Sequence, residues 1–265
     1  MSKELKLITL SALLLLILIC QAVWNPLSIA FGQEDESLIW LPFIMDEGSE
    51  TSINPTPTPT PTPNSNPVNQ GIATYYNATG RGACSFDASP NDLMVAAMNA
   101  EEYDNAAYCG SYVEVTGPQG TITVRIVDLC PECKAGHLDL SREAFAEIAE
   151  IVQGRVDISW QLVSPPLDSP IAYRFKDGSN QWWTAVQVRN HRNPIAKLEY
   201  LNDDNQWIEV ERTSYNYFVQ TGPGMGPGPF TFRVTDSYGN QLTDSGIEHI
   251  ELGTVSGSGQ FPIGP

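Results

Sequence analysis

The chain has 265 residues, with 14 Lys and Arg against 31 Asp and Glu, and a formal net charge of −17. That charge divides as −5 before residue 71, −8 over residues 71–163 and −4 over the rest, so no segment offers the basic face that a polyanion needs. Nucleic acid is excluded as a partner and an anionic wall polymer would be repelled at low salt, whereas a neutral polymer remains compatible.

Lys3 and Lys6 precede an apolar run from Leu7 to Cys20, interrupted only by Thr9 and Ser11. Residues 1–32 therefore read as a signal peptide, with small residues at Ala30-Phe31-Gly32 for cleavage before Gln33. Extended through Val23, the same run is long enough to stay as a membrane anchor, the one route to a membrane in this chain. The protein is expected to be secreted, or held at the cell surface by that anchor. Cys20 is a poor lipidation site because Leu18 and Ile19 before it are bulky. Residues 33–70 follow as an acidic segment and linker, in which Thr-Pro repeats between Asn54 and Pro67 favour an extended, solvated, polyproline-like chain. The apolar patch Leu38-Ile-Trp-Leu-Pro-Phe-Ile-Met45 interrupts it as a candidate contact segment.

Residues 71–164 carry β-type runs at Gly71–Tyr76, Tyr112–Thr116, Thr121–Val127 and Val156–Val163. Ala144, Phe145, Ile148 and Ile151 recur at helical spacing, which predicts a helix over Arg142–Ile151 covering one face of a compact β-barrel. Residues 91–107 read as a second, shorter helical stretch. Cys84, Cys109, Cys130 and Cys133 all fall here, and export makes disulfides the expectation. Four cysteines allow three pairings; Cys84–Cys109 with Cys130–Cys133 is favoured because the close pair clips a loop. Zinc is the weaker reading of Cys-Pro-Glu-Cys, since no second Cys-x-x-Cys exists and His137 is the one nearby histidine. No metal and no cofactor is expected.

That loop belongs to Asp128-Leu-Cys-Pro-Glu-Cys-Lys-Ala-Gly-His-Leu-Asp-Leu-Ser141, which sets Asp128, Glu132 and Asp139 around a turn. Asp128 is placed where the strand from Thr121 ends. Asp139 faces opposite to Leu138 and Leu140, so burying both leucines turns it toward a cleft. Two carboxylates near a glycosidic oxygen can protonate a leaving group or activate water once one pKa is raised. The same residues also allow a plainer arrangement, in which Asp128 satisfies loop amides, Asp139 is an exposed loop acid and Ser141 caps the helix.

Pro165-Pro166 marks a stiff boundary, and residues 165–265 read as strands separated by Gly, Asn and Asp turns: Ala185–Val188, Ala196–Leu201, Trp207–Val210, Tyr215–Gln220 and Phe230–Val234. A β-sandwich fits this pattern, with Trp207 and Phe232 assigned to its core. Trp182, Trp183 and Tyr215, with Lys176 near in sequence, are candidates for stacking on sugar rings. Neighbouring residues on a regular strand face opposite ways, so both tryptophans are exposed only if the Gly178-Ser-Asn180 turn carries them.

Several stretches stand in the order and approximate spacing of one known family. They are Gly71-Ile-Ala-Thr-Tyr75, Gly82-Ala-Cys84, Asp128-Leu-Cys-Pro131, Gly136-His-Leu-Asp-Leu-Ser141, Trp182-Trp183 with Gln187-Val-Arg-Asn-His191, and Tyr215-Asn-Tyr-Phe218. Over residues 71–263 the chain resembles the bacterial expansin-like proteins. The resemblance implies a mainly β protein, a six-stranded double-psi β-barrel related to family 45 endoglucanases followed by an immunoglobulin-like β-sandwich of the family 63 carbohydrate-binding modules. It implies a groove lined by Thr74, Asp128 and Asp139, with Asp139 the counterpart of the endoglucanase acid, and a flat cellulose-binding strip of Trp182, Trp183 and Tyr215. Glu132 and Lys176 are added to these surfaces from their place in the sequence.

The function implied is binding of cellulose and related neutral β-glucans, as a monomer, and loosening of plant wall polysaccharides without hydrolysis. The alternative is a glycan-cleaving enzyme, an endoglucanase or a peptidoglycan lytic transglycosylase, with Asp139 as general acid. Two departures matter: Cys130 stands where many bacterial members carry tyrosine, and Tyr75-Tyr-Asn-Ala-Thr79 offers Asn77 but no carboxylate where the endoglucanases keep their base.

Overall fold

A computed structural model describes residues 66–265. The leader or anchor, the acidic segment, the patch at 38–45 and the Thr-Pro spacer up to residue 65 lie outside the described residues. The last residues read as linker are already part of the fold. Asn66 donates from Nδ2 to Leu162 O and to Tyr238 Oη, each at 2.9 Å, and the first strand starts at Asn69.

Six strands close a barrel: β1 (Asn69–Tyr76), β2 (Val95–Asn99), β3 (Tyr112–Thr116), β4 (Thr121–Cys130), β5 (Leu138–Ser141) and β6 (Val156–Val163). Their order is β1-β5-β2-β4-β3-β6, with β1–β5 and β2–β4 parallel and the remaining pairs antiparallel. Closure leaves no free edge, and alternate residues such as Val113, Val115, Val124, Ile126, Leu138 and Leu140 fill the interior. Of the expected helical stretch at 91–107, only Ala100–Tyr103 is helical, and Val95–Asn99 before it is strand. Val95–Asn99 is buried throughout and hydrogen-bonded on both sides, by β4 and β5, so tertiary pairing overrides a sequence with little strand propensity. Only the short helix α1 (Ala100–Tyr103) follows it, capped by Asn99 Oδ1, which accepts from the Glu101 and Glu102 amides.

Helix α2 (Arg142–Ile148) buries Ala144, Phe145 and Ile148, and Ser141 caps it by accepting from the Ala144 amide at 3.0 Å. It ends three residues short of the expected Ile151. Ile148 O is taken by the Gln119 amide at 2.9 Å, Ala149 turns extended, and Ile151–Gln153 forms a separate 3₁₀ turn. A bond from the β3–β4 turn thus terminates the helix. Strand β4 runs on to Cys130, so Asp128 lies within it and not at its end.

The remainder is a β-sandwich of β7 (Ala172–Phe175), β8 (Thr184–Arg189), β9 (Ile195–Leu201), β10 (Trp207–Arg212), β11 (Phe218–Gln220), β12 (Phe230–Asp236), β13 (Gln241–Ile247) and β14 (Thr254–Ser256). One layer is β13-β12-β9-β10 and the other β11-β8-β7-β14, joined where β10 pairs with β11. Tyr173 of one layer stacks on Phe232 of the other at 5.1 Å between ring centroids. Phe232 is core, but Trp207 is not. Trp207 shares the outer face of β10 with Glu209, two residues on, and lies half-buried under the Arg233 guanidinium, 4.3 Å from its ring. Strands β7, β13 and β14 are not foreseen in the sequence reading. The last two close the two ends of the sheet, where packing on a partner strand comes from one side only.

Barrel and sandwich meet through polar contacts. Arg212 donates to Ala106 O at 3.0 Å, Asn105 Nδ2 to Arg212 O at 3.2 Å, and Arg189 pairs with Asp87 at 2.6 Å. His191 is buried at this junction with Nδ1 at 2.7 Å from Asn193 O, and Gly110 leaves the space its ring needs. Burial pushes the His191 pKa down to about 4, so the ring is neutral at neutral pH.

Candidate functional site

On the barrel, four neighbouring strands place one row of residues side by side. Thr74 of β1 pairs with Asp139 of β5, Asp139 with Ala97 of β2, and Ala97 with Asp128 of β4. Leu138 and Leu140 point into the core, so Asp139 faces outward, while Ala97 between the two acids is buried against Cys130, Cys133 and Tyr76.

The two carboxylates do different work. Asp128 Oδ1 accepts from the amides of Ala83 at 2.6 Å and Leu129 at 2.8 Å, so it builds the Gly82–Cys84 turn. Gly82 is required there, since a Cβ would lie 2.3 Å from the Asp128 carboxyl carbon. Asp139 Oδ1 accepts from the Thr74 hydroxyl at 2.5 Å, and that hydroxyl also lies 2.9 Å from His137 Nε2. Burial raises the Asp139 pKa above the usual carboxylate range; Thr74 and His137 pull it down, and Glu132 and Asp128 push it up again. Burial lowers the His137 pKa.

The loop below this row is held firmly. Cys130–Cys133 closes it, and Glu132 is exposed on it. Gly136 donates to the Glu102 carboxylate at 3.0 Å and accepts from Trp160 Nε1 at 2.9 Å. Gly71 packs against it so closely that a Cβ would lie 1.9 Å from Gly136 O. Because the sulfurs of Cys130 and Cys133 are bonded to each other, neither is free as a zinc ligand. Among the described residues no cluster of His, Cys, Asp and Glu is arranged to hold a metal.

On the sandwich, Trp182 and Trp183 ride the turn between β7 and β8. Asn180 Oδ1 accepts from both of their amides, at 3.0 and 3.2 Å, and Gly224 packs against the Trp182 backbone with no room for a Cβ. Trp182 is 67% exposed and Trp183 half-buried, so the turn presents one full ring and part of another. Tyr215, 37% exposed, sits in the turn before β11 with Tyr217 at 6.0 Å between centroids. Lys176 stands at the foot of the tryptophan turn, its amide bonded to Ala185 O at 3.0 Å.

A short segment joins the two surfaces. Cys84, whose neighbour Ala83 binds Asp128, accepts at its carbonyl from Gln187 Nε2 at 2.9 Å and Asn216 Nδ2 at 3.3 Å. Gln187 also donates to Asn216 O at 3.2 Å, and Tyr103 Oη donates to Ser214 O at 3.0 Å. The turn bearing Tyr215 is therefore fastened to the barrel beside Cys84–Cys109. Gln187 lies four residues along from Trp183, about 13 Å at strand rise.

Two residues of the barrel row were missed by sequence reasoning. Tyr76 has a buried hydroxyl with no partner among the described residues, and its pKa is raised first by burial and then by Asp128 and Asp139. Its position two residues after Thr74 on one strand was the available signal. His137 was weighed only as a metal ligand.

The fold and these surfaces define a class: a double-psi β-barrel fastened to a β-sandwich that displays aromatic rings. A family model described as lytic transglycolase matches residues 68–160, the barrel. Expansin-YoaJ of Bacillus subtilis is 40% identical over 205 residues, covering 74% of this chain and 87% of that protein. Expansin-like protein 3 of Dictyostelium discoideum is 30% identical over 207 residues, 73% of this chain and 61% of its own length. The crystal structure of the apo expansin of Clavibacter michiganensis matches with a TM-score of 0.69 at 36% identity, covering 74% of this chain and all of that one. A mutant of that expansin, solved in complex with cellohexaose, matches equally well. The chain belongs to the expansin family, as a bacterial expansin-like protein.

Proposed function

We propose that this protein acts outside the cell, adsorbs on cellulose and related neutral β-glucans, and loosens plant wall polysaccharides without cutting them. The rings of Trp182, Trp183 and Tyr215 stack on glucose units, with Lys176 beside them, while Thr74, Asp139 and the exposed Glu132 engage a glucan along the barrel row. The cellohexaose complex of the Clavibacter expansin supports the ligand class. Export rests on the sequence of residues 1–32; among the described residues no helix is long and apolar enough to cross a membrane.

The observation that carries the absence of hydrolysis is the state of Asp128. An inverting glycosidase needs two free carboxylates, about 6.5–9.5 Å apart, one as acid and one as base. Asp128 Oδ1 is bound by two amides, and the end of β1 carries Asn77 and Ala78 where a base would stand.

The test is a pull-down of the purified protein on cellulose and on peptidoglycan, with reducing ends measured in the supernatants. Retention on cellulose without new reducing ends is expected. The second reading, a lytic transglycosylase using Asp139 as its one acid, is favoured by the family model on the barrel and by the raised Asp139 pKa. Release of glycan fragments that disappears in Asp139→Asn would replace the first reading with this one.

A further inference from the structure

The Thr74 hydroxyl has a single hydrogen and two partners, Asp139 Oδ1 at 2.5 Å and His137 Nε2 at 2.9 Å. An ionised carboxylate only accepts, so the hydroxyl hydrogen goes to Oδ1 and His137 must donate from Nε2. Asp139 Oδ2 and His137 Nδ1 have no partner among the described residues and are not buried, so both are open to solvent.

We propose that His137 is a positioning residue of the barrel row: donating from Nε2 to Thr74, it steers the Thr74 hydrogen onto Asp139 Oδ1 and leaves Oδ2 as the one carboxylate oxygen that meets a glucan hydroxyl. The inference rests on the reading of this row as a glucan-binding surface. It assigns the sugar contact to one atom and gives His137, considered in the sequence only as a metal ligand, a task.

The direction of the chain survives acidification. His137 takes its second proton at Nδ1, and the imidazolium still donates from Nε2, so Thr74 still donates to Oδ1. A proton arriving on Asp139 therefore goes to Oδ2, which turns from acceptor to donor at the sugar. Glu132, Asp128 and the Tyr76 hydroxyl also face Asp139, and Arg155 and Glu132 act on His137. None of these is hydrogen-bonded to the relay atoms in the described residues, so they shift its titration without reversing it.

The test uses the full-length protein and its Thr74→Val, Thr74→Ser, His137→Ala and His137→Gln variants, with cellohexaose as the probe. Nitrogen-15 spectra of the free protein should show His137 as the Nε2–H tautomer. The carbon-13 titration of the Asp139 carboxyl should move to higher pH in Thr74→Val, which loses the hydrogen bond, and return toward the parent position in Thr74→Ser. Cellohexaose affinity at pH 7 should fall about fivefold in Thr74→Val and His137→Ala, the size of one ordinary hydrogen bond, with rescue by His137→Gln, whose amide can donate. An Nδ1–H tautomer, or an Asp139 titration unmoved in Thr74→Val, overturns the proposal. If the parent protein shows the expected tautomer and titration but does not bind cellohexaose, the glucan reading fails while the positioning role stands.

Discussion

The barrel and the sandwich prepare their surfaces in opposite ways. In the barrel row the polar side chains are tied to one another and to backbone: Asp128 to two amides, Asp139 to Thr74, Thr74 to His137. In the sandwich the polar work is done behind the surface. Asn180 and Gly224 set a turn that leaves Trp182 exposed and Trp183 half-buried, with no polar side chain among the described residues fixing either ring. A hydrogen-bonding surface demands fixed directions, because a misaligned donor loses most of its value, whereas a stacking surface tolerates sliding. The proposed division of labour follows: the sandwich holds a polymer in many registers, and the barrel engages it in few.

The largest expected effects fall where the two regions share a structure. Removing the Cys84–Cys109 bridge, which spans a sequence separation of 25, should cost about 3 kcal/mol of stability in Cys84→Ser/Cys109→Ser, read from chemical denaturation. Because Cys84 O fastens the Tyr215 turn, cellulose adsorption should also fall under conditions where the variant is folded. Undiminished adsorption there would mean that the regions act independently.

Acid should strain the same junction. The folded His191 pKa, depressed to about 4 from 6.5, means the unfolded chain holds the extra proton between those values. Its contribution of about 3 kcal/mol is complete above pH 6.5 and is lost as pH falls toward 4. Stability measured from pH 7 to pH 4 should show this decline, and a His191→Asn variant that keeps the full acid sensitivity would remove its cause from this residue.

Smaller effects separate the surfaces. Trp182→Ala/Trp183→Ala should weaken adsorption on microcrystalline cellulose by about 2 kcal/mol, roughly 30-fold, and Tyr215→Ala by about 1 kcal/mol, roughly fivefold. Asp139→Asn should change adsorption least, by less than about twofold, an exposed polar contact contributing little beside stacked rings. Yet it should abolish extension of isolated wall strips under load. Equal losses of adsorption from the tryptophan and aspartate variants would erase the division between the regions.

The β-type runs that carry most of the barrel and sandwich were legible because their apolar residues alternate, and α2 because Ala144, Phe145 and Ile148 repeat at its period. Thr74, Asp128, Asp139 and the aromatic residues were legible as candidates from residue type and motif order. Tyr76 and His137 were not, since their significance lies in which atoms they meet across strands. Trp207 was misplaced because a large aromatic residue on a strand has equal claim to either face until the register is fixed.

By itself the sequence determined what depends on neighbours along the chain: period, turn chemistry, capping by Ser141, and an acidic charge balance. Only the tertiary structure decided what depends on partners far away in sequence. It made Val95–Asn99 a strand by pairing it on both sides, ended α2 with a bond from Gln119, gave Asp128 to the Ala83 turn and left Asp139 facing solvent through Oδ2. Each outcome is a competition for one hydrogen bond or one buried face, and the winner comes from a strand or turn that the local sequence does not contain.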